Sequence, residues 1–194
     1  MRARFGAACL ALGLLSLAGR ADGRVYLTQE EALRRAFPAP GEVERRTLYL
    51  DDGQARAAAA AAGVPVEGRV FPYYVGRREG RALGYAYFDT HLVRTLPETV
   101  LVLIAPEGRI ERIEILSFDE PEDYLPRGRW LRQFAGRQLD ADLSLGRGVR
   151  PLTGATLSSR AITAAARRIL ALHRLYVAPA QSEQRRERAP EGGP

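Results

Sequence analysis

Lysine and asparagine are missing from the 194-residue sequence, and all 29 basic residues are arginine. Without lysine there is no phosphate-binding loop of the GxxxxGK[ST] type, no Schiff-base lysine for pyridoxal phosphate and no Ser-x-x-Lys acylase. The single cysteine, Cys9, lies in an apolar stretch near the N-terminus. The chain beyond it therefore has no thiol for an iron–sulfur cluster, a CxxCH haem or a disulfide. The two histidines, His91 and His173, stand far apart with no HExxH arrangement, which disfavours a zinc site built on imidazoles. Any redox function of this chain has to use an organic cofactor.

What is present fits one globular domain: 46% hydrophobic and 27% charged residues, enough to bury a core. Residues 1–21 read as a signal peptide, with Arg2 and Arg4 followed by an apolar run from Phe5 to Leu17 and small residues at Ala18, Gly19 and Ala21. That run is shorter than the roughly 20 residues a membrane-spanning helix needs. The expected location is extracytoplasmic, in the periplasm or on the outer face of the cytoplasmic membrane, with the leader either cleaved or kept as an anchor. Losing Arg2, Arg4 and Arg20 takes three charges from the formal +6. The remaining arginines interleave with acids, as in Arg109, Glu111, Arg112 and Glu114, so a mixed-charge surface is expected and no nucleic-acid partner.

The pattern predicts an α+β fold, an antiparallel sheet packed by helices with an amphipathic helix near the C-terminus. Thr28 to Glu31 is a capping box that opens a short helix ending near Phe37, and Asp51 or Asp52 caps the alanine-rich run from Gln54 to Ala62, stopped by Gly63. Strand-like runs follow at Glu42–Leu50, Arg69–Arg77, Arg81–Phe88, Thr99–Ala105 and Arg109–Phe118, joined by short turns as in a meander. Pro126 to Ala135 reads as a short helix with Trp130, Leu131 and Phe134 on one side. The last helix is predicted over Leu157 to Tyr176, with Ile162, Ala165, Ile169, Leu172 and Tyr176 inward and Arg160, Arg167 and Arg174 outward. The division is a leader (1–21), an N-terminal helical and strand segment (22–66), the main body (67–177) and a polar tail without apolar pattern (178–194), expected to be disordered.

Immediately before the last helix stands Thr153-Gly154-Ala155-Thr156-Leu157-Ser158. Small residues let a backbone approach a ligand closely, and a helix's first turn offers unpaired amides at the positive end of its dipole, which suits a phosphate. The hydroxyls of Thr153, Thr156 and Ser158 add donors there. The alternative is that Thr153 or Thr156 is an N-cap and Gly154 makes the turn.

The wording TGATLSS, opening a C-terminal helix, resembles the flavinylation motif [ST]GATx[ST] of the FMN-binding domain family. That family includes subunits of the sodium-pumping NADH:quinone oxidoreductase and of the Rnf electron-transport complex. The resemblance implies that an FAD:protein FMN transferase joins FMN through its phosphate to the last threonine of the motif, here Thr156. It covers roughly Arg69 to Leu175, with weaker signs in the segments 91–98 and 118–124. Many members carry Asp three positions before the first hydroxyl residue of the motif; this chain has Arg150.

The resemblance implies an electron-transfer flavoprotein with covalent FMN and a redox partner protein or membrane electron-transfer complex, a carrier more than a stand-alone enzyme. The other reading is an exported binding or assembly module that kept the fold without flavin, for which Arg150 speaks. A serine hydrolase built on Ser158 or Ser159 lacks a nucleophile elbow. Beyond Thr153 to Ser158, candidate cofactor contacts are His91, Arg94, Glu120, Tyr124 and Trp130. His91 is weighed as a flavin contact against a histidine satisfied at a loop edge, Arg94 as a phosphate partner against a salt bridge with Glu98, and Trp130 as a stacking ring against core. His173 is read as surface.

Overall fold

Residues 24–39 and 41–182 are described by a computed structural model; the leader and the end of the tail lie outside them. Five strands form an antiparallel meander: β2 (Glu42–Tyr49), β3 (Val70–Arg78), β4 (Arg81–Leu92), β5 (Pro97–Ile104) and β6 (Ile110–Phe118). A two-residue strand, β1 (Arg24–Val25), adds to the far side of β6, giving the order β1-β6-β5-β4-β3-β2. The fold is α+β, as the strand spacing implies. β5 carries an unbroken apolar run, VLVLI, because helices cover both faces of the sheet there.

One face packs under α1 (Gln29–Ala36), whose Ala32, with Leu27 and Phe37 flanking the helix, meets Ala86, Leu101, Leu103 and Leu116 of the sheet. Phe37 lies against Gly76, where an added Cβ would come within 2.1 Å of its ring. The other face packs under α4 (Thr156–Leu172). Ile162, Ala165, Ala166 and Ile169 of α4 join Tyr87, Val100 and Val102 of the sheet and the short helix α3 (Gly128–Leu131) with its following turn. Full burial of each large aliphatic side chain here stabilises by about 1.5–3 kcal/mol. The alanines of α2 (Asp52–Ala62) let it lie close to the end of α4, where Ala55 and Ala58 share a cluster with Leu172.

The anticipated Thr28–Glu31 capping box and the anticipated cap at Asp51 are both made, the second also as a reciprocal box with Gln54, while Gly63 ends α2 at φ 66°. Three helix features differ from expectation. His173 is buried, with Nδ1 2.8 Å from the Tyr87 hydroxyl, because α4 continues through a π-type turn (His173–Val177) that rotates it inward. Arg167 is not on a wet face; its guanidinium Nη1 donates to the carbonyls of Asp140 (2.8 Å) and Leu143 (2.9 Å), and its Nε to that of Ala62. The helical path runs past Ala178 to residue 182, where Gln181 accepts from Arg77 at 2.8 Å.

Candidate functional site

Three chain segments meet at the N-terminus of α4. Val93 and Arg94 come from the turn between β4 and β5, Glu120 and Tyr124 from the loop after β6, and Gly154 to Ser158 from the motif; together they enclose a pocket of about 180 Å³. The first segment is held by the second. Glu120 is buried, and its Oε1 accepts from the amides of Arg94 (3.2 Å), Thr95 (2.7 Å) and Leu96 (3.0 Å). These hydrogen bonds, the Thr95 amide foremost, hold the Glu120 carboxyl below the usual carboxylate range.

The motif itself is built to leave its end open. Gly154 takes φ 83°, a conformation that strains other residues, and nothing stands within 4 Å of where a Cβ would be. Ala155 is the N-cap of α4 and no side chain caps it, unlike Thr28 of α1 and Asp51 of α2. Neither Thr153 nor Thr156 is an N-cap. The amides of Thr156, Leu157 and Ser158 have no acceptor among the described residues, and Thr156 is exposed at the first helical position. This suits an anion: free amides, the positive end of a 17-residue helix, and Arg94 lining the same pocket. Arg94 lies over the Tyr124 ring, 5.9 Å from its centre.

Several residues singled out in the sequence have other duties. The Ser158 hydroxyl is buried and donates to the Tyr124 carbonyl at 2.7 Å, so it fixes Tyr124 and is not a free donor for a phosphate. Thr153 faces a second, larger groove, and so does Trp130. Trp130 donates from Nε1 to the Arg150 carbonyl at 2.7 Å and meets Phe134 edge-on at 5.2 Å, tying the chain before the motif to the core.

The pairing of Arg94 with Glu98 is not made, because Glu98 is turned into the sheet beside His91. His91 bridges two carboxylates, Nδ1 to Asp89 at 2.8 Å and Nε2 to Glu98 at 3.0 Å. Asp89 in turn takes the Arg168 guanidinium from α4, at 2.8–3.0 Å. Burial alone would lower the His91 pKa, but the two carboxylates outweigh it and push it up to about 9. Burial raises the Glu98 carboxyl, and its Oε1 has no hydrogen-bond partner among the described residues. His91 therefore belongs to a buried ion network behind the 93–96 turn. Arg168 escapes a sequence reading, since the outward face drawn from spacing passes over it; an Asp and a His two residues apart on one strand face were the available signal.

No curated protein matches the chain. The family comparison covers β5, β6 and the elements through α4, so it includes Glu120, Tyr124, Trp130 and the whole motif and stops short of His91 and Arg94. Residues 96–171 match the family model described as the FMN-binding domain, so that stretch of the chain is similar to FMN-binding domains.

Proposed function

We propose that the chain is an exported electron carrier holding FMN by a phosphoester to the Thr156 side-chain oxygen. The observation that carries this reading is the exposed Thr156 in the first turn of a long uncapped helix, lining one pocket with Arg94 and Tyr124. The residues present fit the group. A phosphate there meets the free amides of α4 and the Arg94 cation, and Gly154 leaves room for its approach. A pocket of about 180 Å³ is below the roughly 300–1,000 Å³ of sites that enclose a whole ligand. It suits the phosphate end, with the ring system reaching outward past Tyr124 and the exposed Leu157.

When bound, FMN supplies reversible electron transfer, which no side chain of this sequence provides. The chain's own part is to offer the hydroxyl, neutralise the phosphate and fix the walls, through Glu120 on the 94–96 amides and Ser158 on Tyr124. Among the described residues the carboxylate that lines the pocket, Glu120, is taken up by the 94–96 amides, which is consistent with attachment by a separate transferase. In that reaction the threonine oxygen takes the FMN phosphoryl group from FAD, AMP leaves and the hydroxyl proton is lost. The signal-peptide pattern of residues 1–21 supports a location outside the cytoplasmic membrane for both the attachment and the redox partner.

The test is co-expression with an FAD:protein FMN transferase, followed by intact mass and in-gel flavin fluorescence. The expected result is one FMN per chain, lost in Thr156→Ala and kept in Thr156→Ser. Colourless wild-type protein, with a known acceptor domain labelled in parallel, would favour the flavin-free binding module instead.

A further inference from the structure

The larger cavity beside the motif is an open groove of about 1040 Å³ with an unbalanced charge. Five arginines from separate segments line it: Arg127 and Arg129 at the start of α3, Arg137 after the turn that follows, and Arg147 and Arg150 in the loop before the motif. Arg137 is committed inward, its guanidinium donating to the carbonyls of Gln133 and Gly148. The other four are exposed, and their guanidinium groups have no acceptor among the described residues. Elsewhere arginines meet acids, as in Arg46 with Glu44, Arg69 with Asp52 and Arg112 with Glu114. The acids on the groove wall are Glu122 and Asp123, and Glu122 is already paired with Arg24.

The groove adjoins the motif pocket. Glu122 and Asp123 face the groove while Tyr124 faces the pocket, and Thr153 faces the groove while Gly154 to Ser158 face the pocket. Two turns thus wall both spaces, and the arginine cluster lies one turn away from Thr156. A cleft lined by cations of one sign attracts an anionic surface and orients its approach. Leu125 and Leu152, half-buried on the same lining beside the buried Trp130, offer a small apolar patch that contact would desolvate.

We propose that this groove is the docking surface for an acidic redox partner, with Arg127, Arg129, Arg147 and Arg150 meeting its carboxylates beside the cofactor. The redox half of this proposal rests on the reading of Thr156 as the flavin acceptor. Arg150, the departure from the family's pattern in the sequence, falls among the four.

Two measurements on the full-length protein and on R127Q/R129Q/R147Q/R150Q test it. The first needs no flavin: hexaglutamate is titrated while Trp130, the only tryptophan of the chain, reports by fluorescence. A saturable change is expected that weakens as salt is raised and disappears in the variant. The second follows oxidation of the reduced flavinylated protein by hexacyanoferrate(III) and by hexaammineruthenium(III). Each oxidant takes one electron, and two of either restore the oxidised flavin with release of its protons to solvent. The anionic oxidant is expected to be favoured at low salt, and the variant to lose about tenfold of that preference. A wild type that ignores hexaglutamate, or a variant that responds equally, overturns the proposal, as does an oxidation rate indifferent to oxidant charge. A variant that binds hexaglutamate normally but no longer acquires flavin overturns it in favour of a transferase contact. Colourless protein that still binds hexaglutamate overturns the flavin reading while supporting the acidic partner.

Discussion

Thr156 and Thr153 carry similar hydroxyls three positions apart, yet one opens α4 beside Arg94 and the other faces the arginine groove without capping any amide. Thr156→Ala should remove covalent flavin while changing unfolding free energy by no more than about 0.5 kcal/mol, since the side chain is exposed and touches no core. Thermal melting of the flavin-free protein checks the second half. Arg168→Met should behave oppositely: it leaves Asp89 buried without its guanidinium, at a cost of about 3 kcal/mol in denaturant unfolding. The open helix start at Thr156 was legible because its neighbours are small and a helix follows. The duty of Ser158 was not, because its partner, the Tyr124 carbonyl, lies 34 residues away, and no local pattern encodes that meeting.

Helix starts separate α4 from α1 and α2. Asp51→Ala removes a reciprocal cap and should cost about 1 kcal/mol, whereas Thr153→Ala should cost almost nothing; chemical denaturation of both variants decides it. The two capped starts could be read from sequence because both halves of each box lie within four residues. The end of β4 could not. Its pattern fades at Phe88, but the strand continues through Asp89 and His91 to Leu92, because the ion network with Glu98 and Arg168 replaces apolar packing on that face. A similar non-local cause governs Gly76. Gly76→Ala would drive a methyl group into the Phe37 ring, and a loss of about 1–3 kcal/mol is expected, with α1 loosened first in hydrogen exchange.

Across the whole molecule the two histidines set opposite limbs of a stability curve. The folded-state pKa of His91 is raised from 6.5 to about 9, so its contribution is complete below pH 6.5 and is lost as pH rises through about 9. Burial lowers His173 to about 4, so unfolding gains a proton below pH 6.5 and stability falls as pH drops toward 4. Stability should therefore peak near pH 6.5, with His91→Gln flattening the alkaline side and His173→Phe the acid side in urea titrations. The strand order has a kinetic consequence as well. β2 to β6 can zip together hairpin by hairpin, each strand finding the one just made, at low entropic cost. The motif pocket needs contacts between the 93–96 turn, the 120–124 loop and residues 154–158, so it closes only once α4 docks. A chain caught between these stages would already present the Thr156 hydroxyl but would have no walls around it, and a flavin attached then would be tethered before it was seated.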